Sequence, residues 1–385
     1  MKQILFRIVL SVLLCGSVTH AADRLRIAYS SISGAYTGIW VAHDAGFFSK
    51  EGLDDQIILI PSATQLAQVT VAGDVDIASL GGGPMIAAAL SGADLKVFGN
   101  NVNKMIFSLH TKSEIKSIEE LRGKRIAVSR FGSSSDVSAR YALRKFNIDP
   151  QKDVVLMQLG SMSNMFGALR SGAIEASMVS PPTQFLSEKL GFKELVSVTD
   201  MDYAYPNPAM ATSGELIRKK PDQVDRFMRA YVRAIHHAKN NRDSTIKTLA
   251  KYTTVTDPVL LAKTYDFYMN KVLERAPYVN MQGMQNAIDD LAKTLLARRV
   301  PNPNSSLISV SSIESRKAAC SKSFTNEFEL VPVVQTVQIA SRNNSATRND
   351  GKQHIRSLLP RQGKVRIGVN LRRTRNAKPR DAKHS

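Results

Sequence analysis

Arg26-Ile27-Ala28-Tyr29-Ser30 returns 99 residues later as Arg125-Ile126-Ala127-Val128-Ser129, and the agreement continues at the same offset. Gly73-Asp74-Val75-Asp76-Ile77 is matched by Gly172-Ala173-Ile174-Glu175-Ala176, the polar loop Pro61-Ser62-Ala63-Thr64 by Gly160-Ser161-Met162-Ser163, and Gly92 by Gly191. A repeat of this length, with strand, loop and helix signals in one order, predicts two similar α/β lobes, because a solenoid unit would be shorter. Two such lobes facing each other enclose a cleft.

Within the first copy, the pattern predicts a strand over Leu25 to Ser30, a polar turn over Ser31 to Gly34, and a helix through Tyr36, Ile39, Trp40 and His43. Ile57 to Ile60 is a wholly apolar run, as expected of a strand buried on both faces of a parallel sheet. Asp76 to Leu80 is the third strand, Gly81-Gly82-Gly83-Pro84 its exit loop, and Met85 to Leu90 the next helix. The second copy repeats the order, with helices predicted after Ser133-Ser134-Ser135 and after Ser163-Asn164, and Pro181-Pro182 following the third strand. This alternation predicts parallel sheets joined by right-handed crossovers. From Pro221 onward, Val224, Phe227, Met228, Tyr231, Val232 and Ile235 follow helical spacing, and further helices are predicted over Leu260 to Leu273 and Met284 to Leu296.

At the N-terminus, Lys2 and Arg7, the apolar run Ile8 to Leu14 and the small residues around Ala21 have the layout of a cleavable secretory signal over 1–21. The apolar run is far shorter than the roughly 20 residues a membrane span needs. The net charge of +19 suggests nucleic acid until it is divided along the chain: residues 305–385 hold 16 Lys/Arg against 5 Asp/Glu. The body is only mildly basic, so nucleic-acid binding is not expected. Cys15 and Cys320 are the only cysteines, which excludes a disulfide framework and a cysteine-based metal site from the body. Past Asn304 the text turns Ser-rich and then Arg/Lys-rich with little periodicity, reading as a disordered appendage or a frameshifted ending.

Several stretches together carry a resemblance: Gly38-Ile39-Trp40-Val41-Ala42 with Asp44 to Leu53, Ala72 to Ala78, Lys116 to Val128, Ala168 to Gly172, and Lys220-Pro221-Asp222. In these the chain resembles the substrate-binding proteins of ABC importers, in the nitrate/sulfonate/taurine and thiamine-pyrimidine group, from about Arg24 to Arg299. The resemblance implies a type II periplasmic-binding-protein fold, with two similar wound sheets joined by two crossover segments around a central cleft. It places lobe one at 22–109 plus 214–304 and lobe two at 110–213, with crossings near His110 and near Asn207 to Thr212. The implied partners are a small-molecule solute, a membrane permease and that permease's own ATPase. The protein itself would be a periplasmic monomer that meets the membrane only through the permease. No P-loop pattern is present.

Ligands of open α/β sheets bind beyond the carboxyl ends of the strands, here the repeated loops. Ser31, Ser33, Gly34, Ser62, Thr64, Gly82 and Gly83 on one side and Ser133, Ser134, Ser135, Ser163 and Asn164 on the other are small or polar, and would expose helix N-terminal amides to an anion. Each serine could equally serve as a helix cap. Arg130 enters the loop after the repeated strand and could pair bidentately with a carboxylate, sulfonate or phosphate, or form an ion pair with Asp136. Tyr36, Trp40, Tyr203 and Tyr205 could wall an organic portion, although core packing is the simpler role for Trp40. Pro181 and Asn207 complete the set expected near the cleft.

Catalytic signals are thin. His236 and His237 are adjacent on a helix and do not make an i, i+4 metal pair, and Ser113-Glu114-Ile115-Lys116 lacks the companion motifs of the S-x-x-K enzymes. No metal and no cofactor is expected. The reading is therefore a non-enzymatic receptor for a small organic anion. The alternatives are a binding protein for a pyrimidine thiamine precursor and, less well supported, a synthase of that compound.

Overall fold

The two copies of the repeat build two separate sheets. The computed structural model describes residues 22–297; the expected signal segment 1–21, the end of lobe one at 298–304 and the tail 305–385 lie outside the described residues. The strands are β1 (Asp23–Tyr29), β2 (Leu53–Leu59), β3 (Ile77–Leu80), β4 (Leu95–Gly99), β5 (Ser108–Thr111), β6 (Arg125–Val128), β7 (Val155–Gln158), β8 (Ala176–Val179), β9 (Lys193–Ser197) and β10 (Ala209–Ser213). One sheet has the order β2-β1-β3-β10-β4 and the other β7-β6-β8-β5-β9. The orders are identical once β10 and β5 are recognised as equivalents.

Both sheets are mixed, which corrects the expectation of purely parallel ones. β10 runs antiparallel to β3 and β4, and β5 runs antiparallel to β8 and β9. The reason lies in the path of the chain. Strands β1, β3, β6 and β8 end at the cleft, so a segment arriving from the other lobe must run away from it.

This exchange also moves the lobe boundaries expected at 110 and 213. Ser108 and Leu109 already pair in the second sheet, whereas Ala209–Ser213 belongs to the first. The crossings run through 100–107 and 198–208, where Lys104 and Ala204 form an antiparallel bridge.

The repeat persists in its ion pairs. Arg26 donates from Nε and Nη2 to the two carboxylate oxygens of Asp76 at 3.0 and 2.9 Å, and its backbone amide donates to the same group at 2.8 Å. Arg125 does the same to Glu175 at 3.1, 2.6 and 2.9 Å. Arg26 stands in the middle of β1 and Arg125 at the start of β6, and each pair ties its strand to the residue leading into the neighbouring one.

Helix Pro221–Asn240 buries Val224, Phe227, Met228, Tyr231 and Ile235 of the expected face against helices Thr37–Asp44 and Phe47–Lys50, while Val232 is only half-buried. Phe227 stacks on Phe48 at 5.4 Å. Pro221 stands in the first turn, where its missing N–H costs nothing. Helix Pro258–Tyr265 continues into a π-helix, Asp266–Val272, across the stretch expected to be one regular helix. Its Tyr268 is buried, with the hydroxyl 2.8 Å from Ser33 Oγ of lobe one and 3.0 Å from the Pro181 carbonyl of lobe two.

Candidate functional site

Helix beginnings from both lobes meet at the cleft. The first turns of Ala63–Val71, Ser134–Lys145 and Met162–Ser171, with Gly81 at the cap of helix Gly82–Leu90, contribute residues to one cavity of about 120 Å³. That is roughly tenfold more than the 10–15 Å³ that admits one water. Ser62, Ser133 and Ser161 cap their helices by accepting from the amides of Gln65, Asp136 and Asn164 at 3.3, 3.4 and 3.2 Å. The capping role and the lining role thus coincide, since each cap residue also faces the cavity.

Ser31, Tyr36, Ser62, Thr64, Arg130, Ser133, Ser134, Ser135, Ser163 and Asn207 line this cavity together, so the repeat brings most of the expected loops to one place. On the lobe-two side the hydroxyls form a closed triangle. Ser129 Oγ lies 2.8 Å from Ser133 Oγ and 2.9 Å from Ser135 Oγ, and those two are 3.0 Å apart. On the lobe-one side, Ser30 Oγ is 2.8 Å from the Tyr36 hydroxyl, and burial pushes that phenol above its ordinary value.

Arg130 is the one charged side chain on the cavity wall among the described residues. Its expected alternative partner is committed elsewhere: Asp136 is fully buried and accepts from Arg140 Nε and from the Gly132 amide, both at 2.8 Å. The exposed Arg130 guanidinium forms no ion pair within the described residues.

The remaining expected residues do not line the cavity. Ser33 caps the short helix Gly34–Tyr36 and bonds Tyr268, whose ring lies against Gly34. Trp40 is 0% exposed and stacks on Tyr252 at 4.8 Å with the rings 4° apart. Tyr205 is also 0% exposed, behind Gly83 and beside Tyr203. Gly82 and Gly83 belong to the first helical turn rather than to an exit loop, pressed against Pro206 and the Gly132 carbonyl. Asn164 turns away to donate to the Leu159 carbonyl at 3.1 Å, and Pro181 meets Tyr268.

Sequence reasoning missed the apolar wall. Ile32, Leu59, Phe107, Met162 and Met165 line the cavity, and Phe107 comes from the first crossing. Leu59 could have been found, because it is the last strand residue before a repeated polar loop. Phe107 carries no such local signal.

A model of the NMT1/THI5-like family matches residues 34–245, more than half of the chain. The chain belongs to the NMT1/THI5-like family. A protein of Bacillus subtilis (strain 168) named for a binding function, YtlA, is 25% identical over 251 residues, covering 64% of this chain and 75% of its own length. Among solved structures, the alkanesulfonate-binding protein SsuA from Xanthomonas axonopodis pv. citri, bound to MOPS, superposes with a TM-score of 0.63. It is 20% identical and covers 73% of this chain and 95% of that one. The periplasmic nitrate-binding protein NrtA from Synechocystis PCC 6803 superposes with a TM-score of 0.60 at 13% identity, covering 80% of this chain and 90% of that one. The fold of this NMT1/THI5-like chain is the one these two solved binding proteins share.

Proposed function

We propose that this NMT1/THI5-like protein is the exported, monomeric solute-binding component of an ABC importer, and that it captures a small organic anion by closure of its two lobes. The single observation that carries the reading is the cavity wall: four helix beginnings, a cluster of serine hydroxyls and Arg130 as its one charged side chain among the described residues. Helix N-terminal amides and a guanidinium both favour negative charge. The wall of Ile32, Leu59, Phe107 and the two methionines suits the organic part of such a ligand. Delivery to a membrane permease, with a separate ATPase supplying the energy, accords with the family. No helix among the described residues is long and apolar enough to cross a membrane.

A pyrimidine thiamine precursor is less well supported, because Trp40 and Tyr205 are buried in the core and cannot stack on a ligand there. The test is native mass spectrometry of the purified protein for a co-purified solute. A melting-temperature panel of sulfonates, carboxylates and neutral pyrimidines follows it, since a ligand selective for the folded state stabilises it by mass action. An anion that raises the melting temperature supports the proposal. Stabilisation by neutral pyrimidines alone would overturn the anion assignment, and turnover of any of them would overturn the receptor assignment.

A further inference from the structure

Away from the cleft, lobe two gathers a second group of side chains. His110 on β5 and Glu194 on β9 are direct cross-strand partners beside an irregularity in the ladder. β5 enters its sheet at Ser108, opposite Val179 at the cleft end of β8, and His110 lies two residues deeper, opposite Ser177. Helix Thr183–Lys189 packs over this part of the sheet and brings Gln184, Ser187 and Glu188 to the same face, as their i, i+3, i+4 spacing requires. None of these residues lines the ligand cavity.

The arrangement is poorly satisfied as a set of ordinary hydrogen bonds. The His110 ring is 0% exposed, and its Nε2 has no hydrogen-bond partner. That nitrogen faces Glu194 Oε2 at 3.7 Å, beyond hydrogen-bonding reach. The other ring nitrogen, Nδ1, is 3.1 Å from Ser187 Oγ. When Nδ1–H donates to Ser187, Nε2 presents a lone pair toward a carboxylate, an orientation that a cation between them makes favourable. Gln184 Nε2 donates to Glu194 at 2.8 Å and to Glu188 at 3.4 Å, drawing both carboxylates to the imidazole, while its own buried Oε1 has no partner.

We propose that His110, Glu188 and Glu194 form a binding site for a divalent transition-metal cation of the zinc type on lobe two. One imidazole and two carboxylates suit such an ion. The three ligand atoms lie within 4.8 Å of one another. Two ligands on a tetrahedral zinc with bonds of about 2.1 Å stand roughly 3.4 Å apart, so the His110–Glu194 separation is already close and a small turn of the exposed Glu188 side chain brings in the third. Both glutamates open to solvent, which provides the entry path and leaves room for a water ligand. Ser187 takes the orienting role that a hydrogen-bond partner on the second ring nitrogen plays for metal-bound histidines. This site is independent of the anion proposal, and either can fail alone.

The experiment uses the full chain, purified without a polyhistidine tag and stripped with a chelator. Zn2+ is titrated calorimetrically and by melting temperature, and Co2+ by the visible band that appears when it exchanges water for a four- or five-coordinate protein site. One equivalent is expected to bind and to raise the melting temperature. Glu188→Gln and Glu194→Gln should each weaken binding at least about tenfold, and Ser187→Ala about tenfold through ring orientation. His110→Gln should abolish it. Should that buried substitution prevent folding, the exposed glutamate variants still decide. Absence of a melting shift with zinc, or the same affinity and Co2+ band in the Glu188→Gln/Glu194→Gln double variant as in the parent, overturns the proposal.

Discussion

Ser134 Oγ of lobe two occupies the space that a Cβ on Gly81 of lobe one would need, and the Gly132 carbonyl does the same opposite Gly83. The lobes therefore touch across the mouth of the cavity through positions where one lobe has no side chain. Gly81 has an ordinary extended backbone, with φ −67° and ψ 152°, so its glycine is explained by the contact rather than by conformation. Gly81→Ala should leave the melting temperature of the ligand-free protein almost unchanged while holding the lobes apart. Ligand affinity is expected to fall about tenfold or more, as when a binding-competent conformation is depopulated. Small-angle scattering checks this: the parent should contract on binding a ligand and the variant should not.

Arg130 offers a separate test of ligand charge. Removing its guanidinium with Arg130→Ala should cost about 1.5 to 3 kcal/mol of ligand binding, hence about ten- to a hundredfold in Kd. Because that exposed side chain has no ion-pair partner among the described residues, the stability of the ligand-free protein should hardly change. Calorimetric affinity and melting temperature measured on the same variant check both halves, and an unchanged Kd would remove Arg130 from the site.

Trp40 should behave in the opposite way. Its ring is wholly buried between Tyr29, Tyr36 and Tyr252. Trp40→Ala is expected to destabilise the ligand-free protein by about 3 to 5 kcal/mol through the cavity it leaves. Denaturant unfolding measures this directly.

Acid should act through Glu175. The Arg125 guanidinium, which donates to both its oxygens, holds this carboxyl down at about 2, below its ordinary 4.5. A carboxylate depressed in the folded state stabilises the fold above its unfolded value, and that contribution is lost as pH falls through the folded one. Glu175→Gln should thus lower the melting temperature by a few degrees at neutral pH, a modest effect because the pair is largely solvated. The gap between parent and variant should close between about pH 4.5 and pH 2. Thermal scans across that range check the sign: a gap that widens with acid would contradict the ion pair.

Much of the architecture was legible because it is written in local pattern. The offset of 99 residues aligns Arg26 with Arg125 and Asp76 with Glu175, and those residues make the same bidentate pair in each sheet. Serine caps, two of them at the repeated positions Ser62 and Ser161, marked the helix beginnings, and these form the cavity wall. Short strands such as β4, β5, β9 and β10 were not legible. Their pairing is decided by partners far away in sequence, and the crossing segments between the lobes have no periodicity of their own.

By itself the sequence determined the duplicated strand–loop–helix order, the helical face of Pro221–Asn240 and the set of polar loops at the strand ends, since periodicity and capping act within a few residues. Only the tertiary structure decided which of those loops face a common space. It buried Trp40 and Tyr205, put Phe107 on the wall and turned Gly81 to Gly83 into an interlobe contact. It also brought His110, Glu188 and Glu194 together from two strands and a helix. Such juxtapositions follow from the exchange of β5 and β10 between the sheets, a long-range pairing that no local spacing encodes.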